Sequence, residues 1–155
     1  DKDFSLAFAK SQLAAGAKLP TAGTVFISVR DIDKPSIVNL AVDLCHMGFL
    51  LVATTGTAQS LEKAGLKVEK IKKVLEGRPH VVDNMISGQI DLVINTTEGA
   101  RAIKDSFSLR RAAITHNIPY YTTIEGAQAA VKGIEAISKG PLDVSPLQSY
   151  LNGSF

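Results

Sequence analysis

Short apolar runs alternate with stretches of helical periodicity along this chain, and that alternation constrains its fold more than any other feature. Val25-Phe26-Ile27-Ser28-Val29 is apolar and rich in β-branched residues, the pattern of a strand buried on both faces. Ile37, Leu40, Ala41, Leu44 and Cys45 then recur at helical spacing. Asp33 is placed to cap that helix, Pro35 is tolerated in its first turn and Gly48 ends it. The rhythm repeats. The spacing predicts strands over Phe49–Ala53, Val68–Ile71, Ile90–Ile94 and Pro119–Thr122. It predicts helices over Ala58–Ala64, Val81–Ile86, Phe107–Thr115 and Glu125–Ile137. Strands that alternate with helices imply an α/β fold in three layers, a parallel sheet with helices on both faces and right-handed crossovers.

The two ends read differently. Phe4, Phe8 and Leu13 outline a short, weakly amphipathic helix that Asp3 or Ser5 is placed to cap, and a Gly/Pro/Thr stretch from Gly16 to Gly23 follows. Residues 1–20 are expected to be a connector from a preceding domain, with a chain start after a processed Met as the alternative, and 21–155 the α/β domain. The tail from Lys139 to Phe155 holds Gly140, Pro141 and Pro146. It is expected to lie irregularly over the domain, anchored by Leu142, Leu147 and Leu151.

Composition removes several function classes. With 45% hydrophobic and 21% charged residues the 155-residue chain has a globular balance, which argues against disorder. No apolar run is long enough for a membrane-spanning helix. A single cysteine, Cys45, leaves no internal disulfide and fits a buried small residue better than a nucleophile. Seventeen basic against fifteen acidic residues give a net charge of +2, too little to point to nucleic acid. His46, His80 and His116 share no metal-ligand spacing.

Ligands of open parallel sheets bind beyond the carboxyl ends of the strands. Here those ends are rich in hydroxyls and amides: Ser28 with Lys34 shortly after, Thr54-Thr55-Gly56-Thr57, Asn95-Thr96-Thr97-Glu98-Gly99, and Thr122-Thr123. Two of these turns combine hydroxyls with a Gly just before a helix. Unpaired N–H groups at a helix start, a glycine that admits an anion and threonine donors together suit a phosphate. A lone Thr there is more often an N-cap; two such turns after successive strands strengthen the phosphate reading. Lys34, Lys72, Lys73 and Arg78 are the candidate cations, and the 67–78 segment carries five basic and two acidic residues. GxxxxGK[ST], GxGxxG and GxSxG are all missing, so nucleoside triphosphate, dinucleotide and serine-hydrolase sites lack their usual forms. Asp31, Asp83 and Asp105 are possible carboxylate bases without a spacing that marks an acid–base pair, and His80 is placed in a turn that could meet a ligand.

The runs VFISVRDIDK (25–34), GFLLVATTGTAQSLEKAG (48–65), IKKVLEGRPHVVDNMISGQIDLVINTTEGARAIKDS (71–106), LRRAAI (109–114) and IPYYTT (118–123) resemble the C-terminal regulatory domain of the carbamoyl-phosphate synthetase large subunit, bacterial type, a member of the methylglyoxal-synthase-like superfamily. The leader DFSLAFAKSQL resembles the end of the preceding synthetase region. The resemblance implies a five-stranded parallel sheet flanked by helices and a domain without chemistry or cofactor of its own. It implies binding of uridine monophosphate or inosine monophosphate as allosteric effectors. By the same resemblance, Lys34, Thr54, Thr57, Lys73 and Thr97 hold the effector phosphate, Ser28, Asn95, Thr96 and Asp105 lie toward ribose and base, and Thr122 faces an ornithine site at the junction with the preceding domain. The implied parent is a cytoplasmic ligase of pyrimidine and arginine biosynthesis. It makes carbamoyl phosphate from bicarbonate, glutamine-derived ammonia and two ATP, with Mg or Mn and K, alongside a glutaminase small subunit. Two departures bear on nucleotide selectivity: Thr55 where some members carry His, and Ala100 where some carry a basic residue. Methylglyoxal synthase, the enzyme relative, uses an Asp in a Gly-Gly-Asp stretch where this chain has EGRPH at 76–80, which disfavours phosphate elimination. A scaffold domain blind to nucleotides is the other alternative.

Overall fold

A computed structural model describes residues 1–140, 142–146 and 148–149, with the side chains of 99–105 outside the description. Five parallel strands run β1 (Thr24–Ser28), β2 (Leu50–Ala53), β3 (Glu69–Lys70), β4 (Leu92–Asn95) and β5 (Tyr120–Tyr121), side by side in the order β3-β2-β1-β4-β5. Among the described residues these helices accompany them: α1 (Phe4–Ala14), α2 (Lys34–His46), α3 (Thr55–Lys63), α4 (Val81–Ile86), α5 (Gly99–Thr115) and α6 (Ile124–Ser138). Short 3₁₀ turns occupy Asp31–Asp33 and Val74–Glu76. The three-layer α/β expectation and the five-stranded parallel sheet are what the structure shows.

Alternation along the strands sorts the core into two halves. Val25, Ile27, Leu51, Ala53, Leu92 and Ile94 face one way, onto Ile37, Leu44, Leu61 and Ile134 of the helices. Phe26, Val52 and Val93 face the other way, onto Val81, Met85, Leu109 and Ala113. Both faces of β1, β2 and β4 are therefore dry, which explains their continuous apolar runs. The central β1 is hydrogen-bonded to β2 on one edge and β4 on the other, so the strand order reverses direction at β1.

Most predicted elements lie where the sequence puts them, with instructive shifts at their ends. Helix α3 starts at Thr55 rather than Ala58, because Thr54 has extended backbone at the N-cap position and the turn Thr55-Gly56-Thr57 is already helical. Helix α5 starts eight residues ahead of Phe107, so the NTTEG turn leads straight into it. Asp33 occupies the N-cap position of α2 but makes no capping bond; its carboxylate is engaged by Arg30 instead. Asp3 does cap α1, accepting from Leu6 N–H at 3.0 Å. Phe4 and Leu13 are exposed, whereas Ala9 and half-buried Phe8 carry the inward face.

Residues 1–20 contribute directly to this core. Ala9 and Leu19 are buried in the larger cluster, and Tyr121 Oη donates to Gln12 Oε1 at 3.1 Å. Gly133 of α6 is the contact point: a Cβ there would stand 3.2 Å from Leu19 Cδ1 and 3.5 Å from Phe8 Cδ1. The expected connector thus packs against the α/β domain as closely as its own helices do. Of the tail anchors, Leu142 packs against the core, while Leu147 and Leu151 lie outside the described residues. Gly133→Leu is expected to lower stability by about 1–3 kcal/mol through overpacking. Urea denaturation followed by circular dichroism measures it, and an unchanged midpoint would show that α1 does not depend on this contact.

Candidate functional site

Strand parity builds the site. Phe26 pairs with Val52 and Val93, and two residues further on Ser28 pairs with Asn95. Ile27 pairs with Ala53, which sets Thr54 beside Ser28. Residues two apart share a face, so Thr54, Ser28 and Asn95 form a polar row directly above the apolar floor of Phe26, Val52 and Val93. The row borders a cleft of about 540 Å³ at the carboxyl ends of the strands. Ser28, Thr54, Lys73, Asn95, Thr96 and Thr97 all line it. A cavity of about 610 Å³ lies at the amino ends of β4 and β5, bordered by Leu19, Ile90, Asp91 and Pro119; none of the predicted site residues reaches it.

The start of α3 has the chemistry of an anion cradle. Thr54 sits at its N-cap, yet its hydroxyl makes no capping bond and turns instead to Ser28 Oγ at 3.3 Å and Thr57 Oγ1 at 3.4 Å. Thr57 Oγ1 also accepts from Val29 N–H at 3.1 Å. Thr54 and Thr57 are buried, so these hydroxyls are held in place by their neighbours. The N-cap explanation of Thr54 is therefore insufficient. First-turn N–H groups of a helix lack intrahelical acceptors and sit at the positive end of its dipole. The Lys34 ammonium lies over that turn, 3.6 Å from the position a Gly56 Cβ would take, and pairs with Asp31 at 2.7 Å. That pairing holds the Asp31 carboxyl below its usual range.

A second network fixes the opposite wall. Thr96 Oγ1 accepts from Arg30 N–H at 3.0 Å, and Thr96 N–H donates to Ser28 O at 3.0 Å. Arg30 grips Asp33 through Nε at 2.8 Å and Nη2 at 3.0 Å. This bidentate pair lowers the Asp33 pKa; burial opposes the shift and a hydrogen bond from Thr96 adds to it. Thr96 thereby ties the β4 turn to the loop after β1. Half-buried Thr97 and exposed Glu98 and Lys73 complete the rim.

Several candidates are engaged elsewhere. Asp83 accepts from His80 N–H at 3.0 Å, stands 3.1 Å from His80 Nδ1 and pairs with Arg78 at 3.2 Å. His80, Asp83 and Arg78 thus form their own cluster at the start of α4, and none of them borders the cleft. Thr122 is exposed beyond β5 and does not line the cleft either, and Lys72 is exposed away from it. Asp105 and Ala100 belong to α5 by backbone, but their side chains lie outside the described residues. Arg30, Ile32, Val74, Glu98 and Ser106 border the cleft without having been singled out in the sequence. For Arg30 and Glu98 the signal was available, since both stand within three residues of a strand's carboxyl end. Among the described residues no group of three or more His, Cys, Asp or Glu side chains is placed to hold a metal, and no helix is long and apolar enough to cross a membrane.

A doubly wound α/β domain with a polar cleft at its strand reversal is the class that fold and cleft define. The sequence profile of the MGS-like domain family matches residues 36–122, more than half of the chain, and the chain belongs to that family. Carbamoyl phosphate synthase large chains are similar to it: 53% identity over 149 residues in Myxococcus xanthus and 55% over 150 residues in Rhizobium meliloti. These alignments cover 96% and 97% of this chain but only 14% and 13% of those relatives. Among solved structures, a methylglyoxal synthase from Elizabethkingia anophelis superposes with a TM-score of 0.59 at 19% identity, covering 86% of this chain and 92% of that one. ForH superposes with a TM-score of 0.59 at 24% identity, covering 77% and 83%. Both show the shared fold.

The lowered Asp33 pKa has a sign. Its contribution to stability is present above the unfolded carboxylate value of about 3.9 and is lost as pH falls through the lower folded value. The stability difference between wild type and Asp33→Asn is expected to be largest near neutrality and to shrink below about pH 4. Urea denaturation at pH 7 and pH 3 checks it; a difference independent of pH would remove Asp33 from the network.

Proposed function

We propose that this chain is an allosteric nucleotide-monophosphate-binding domain of a glutamine-dependent carbamoyl phosphate synthase large chain. The observation that carries it is the N-terminal turn of α3. Thr54 and Thr57 hydroxyls are buried and oriented there and the Lys34 ammonium lies above; of the five residues assigned to the phosphate, Thr54, Lys73 and Thr97 border the cleft, while Lys34 and Thr57 adjoin the turn without lining it. These five residues take the phosphate. Ser28, Asn95 and Thr96 lie toward ribose and base, in the cleft volume over Phe26, Val74, Val81 and Leu109 that an apolar ring face would fill; the Asp105 side chain assigned with them lies outside the described residues. Uridine monophosphate and inosine monophosphate are the effectors proposed. The relatives at 51–55% identity carry the synthase name, which supports placing this domain in a cytoplasmic ligase of pyrimidine and arginine biosynthesis. In that parent the catalytic regions use ATP with Mg or Mn and K, a glutaminase small subunit supplies ammonia, and Thr122 faces an ornithine site shared with the preceding domain.

The domain itself regulates without catalysing. Asp31 pairs with Lys34 and Asp33 with Arg30 near the cleft, and Asp83 is engaged by Arg78 and His80 away from it, which supports a binding role over elimination chemistry. A ligand that prefers one global state shifts the equilibrium by its differential affinity, and such couplings amount to about 1–3 kcal/mol.

A charge-assisted hydrogen bond is worth roughly 1.5–3 kcal/mol. Lys73→Ala and Thr54→Val are each expected to weaken uridine monophosphate binding about tenfold or more while the chain stays folded. Titration calorimetry measures it, and wild-type affinity in both variants removes the cradle as assigned. Incubation with dihydroxyacetone phosphate is expected to release no methylglyoxal; robust turnover in a colorimetric assay would restore the enzyme alternative.

A further inference from the structure

Asn95 is the one amide in the polar row, and its orientation is fixed by a residue that does not line the cleft. The amide is buried at the carboxyl end of β4, with its Nδ2 donating to Tyr120 Oη at 2.6 Å. Tyr120 pairs with Val93, two residues before Asn95, so the tyrosine stands on the same face of the sheet one step lower. Its half-buried ring packs with the cluster that holds Phe26, Val93 and Leu109, and the ring's length carries the hydroxyl up to the amide. Asn95 is also one of the residues that line the cleft.

From this geometry we infer that Tyr120 is a positioning residue for ligand binding. By accepting from Nδ2 it holds the Asn95 amide against the wall that its own ring helps to form. A phenol hydroxyl both donates and accepts, so it anchors the amide without choosing between its two ends. The anchored amide then presents a fixed polar group to a ligand group such as a ribose hydroxyl or a base edge. Tyrosine serves because a phenylalanine of the same bulk would fill the wall and leave the amide unheld. The inference rests on the cleft being a nucleotide site and adds the residue that holds its one amide in place.

The test is a double-mutant cycle read by calorimetry with uridine monophosphate. Tyr120→Phe is expected to weaken binding roughly three- to tenfold in the wild-type background, and to have less than a twofold effect once Asn95 is Ala, because its action passes through that amide. An equal loss in both backgrounds would reveal a general distortion and overturn the inference, as would no loss in either. Failure of the wild-type chain to bind uridine monophosphate would overturn the nucleotide assignment itself, and this inference with it. Should Tyr120→Phe fold poorly, the wild-type Asn95 carboxamide still decides by NMR. Nuclear Overhauser contacts from an Asn95 NH₂ proton to the edge of the Tyr120 ring support the anchor, and their absence refutes it.

Discussion

Hydrogen bonding of β1 on both of its edges is the constraint from which the site follows. It locks the register of β2 and β4 against β1, so that Thr54, Ser28 and Asn95 must emerge side by side. Because side chains alternate, the same register places Phe26, Val52 and Val93 beneath them. A slip of one residue would exchange the two sets, burying the hydroxyl row in the opposite core and emptying the cleft of its polar groups. Fold specificity and site chemistry are therefore one property here. The apolar residues that make the register unambiguous are neighbours of the polar ones that use it.

What the register brings together is then held by mutual hydrogen bonding. Thr54 and Thr57 satisfy each other, Thr57 receives Val29 N–H, Thr96 receives Arg30 N–H, and Asn95 leans on Tyr120. Buried hydroxyls and amides cost free energy when unpaired, and the network offsets that cost before any ligand arrives. It also fixes orientation, so the phosphate proposed for this site would meet donors that have little rotamer freedom left to lose. The loop after β1 is the most heavily braced segment, tied at Val29, at Arg30 and through the Arg30–Asp33 pair.

The sheet was legible because burial on two faces writes a continuous apolar run into each central strand, and the helices because their inward faces repeat at 3.6 residues. Edge strands and helix starts were less so. The β3 strand lies within the predicted Val68–Ile71 run, but only the exposed pair Glu69 and Lys70 forms it, so burial does not mark its ends. The early starts of α3 and α5 have no apolar periodicity to announce them, since Thr55-Gly56-Thr57 and Gly99-Ala100-Arg101 contain no large apolar residue. Ser28, Thr54, Asn95, Thr96 and Thr97 were found by asking which polar residues follow strands. Arg30 and Tyr120 escaped for opposite reasons. Arg30 reads as an ordinary surface charge, and Tyr120 looks like wall filling until the coordinates show where its hydroxyl ends. Asp33 was misassigned as a cap because sequence offers no means of telling that Arg30, three residues earlier, competes for the same carboxylate.

The two lysines assigned to the phosphate are held in different ways, and the difference bears on affinity. Lys73 is exposed at the cleft rim, and its backbone N–H, not its ammonium, is engaged, donating to Glu76 at 2.9 Å. Lys34 already has a carboxylate partner in Asp31, and a phosphate must compete with it. Asp31 is almost fully exposed, and ion pairs of that kind contribute little in water. Release of Lys34 therefore costs little, and Asp31 acts as a placeholder that keeps the ammonium above Gly56 until a better anion comes. Had Asp31 and Asp33 exchanged roles, with the braced carboxylate holding Lys34, the cradle would be occupied by its own side chain. The chain instead spends its strong bidentate pair on shaping the loop and leaves the weak pair at the mouth of the site.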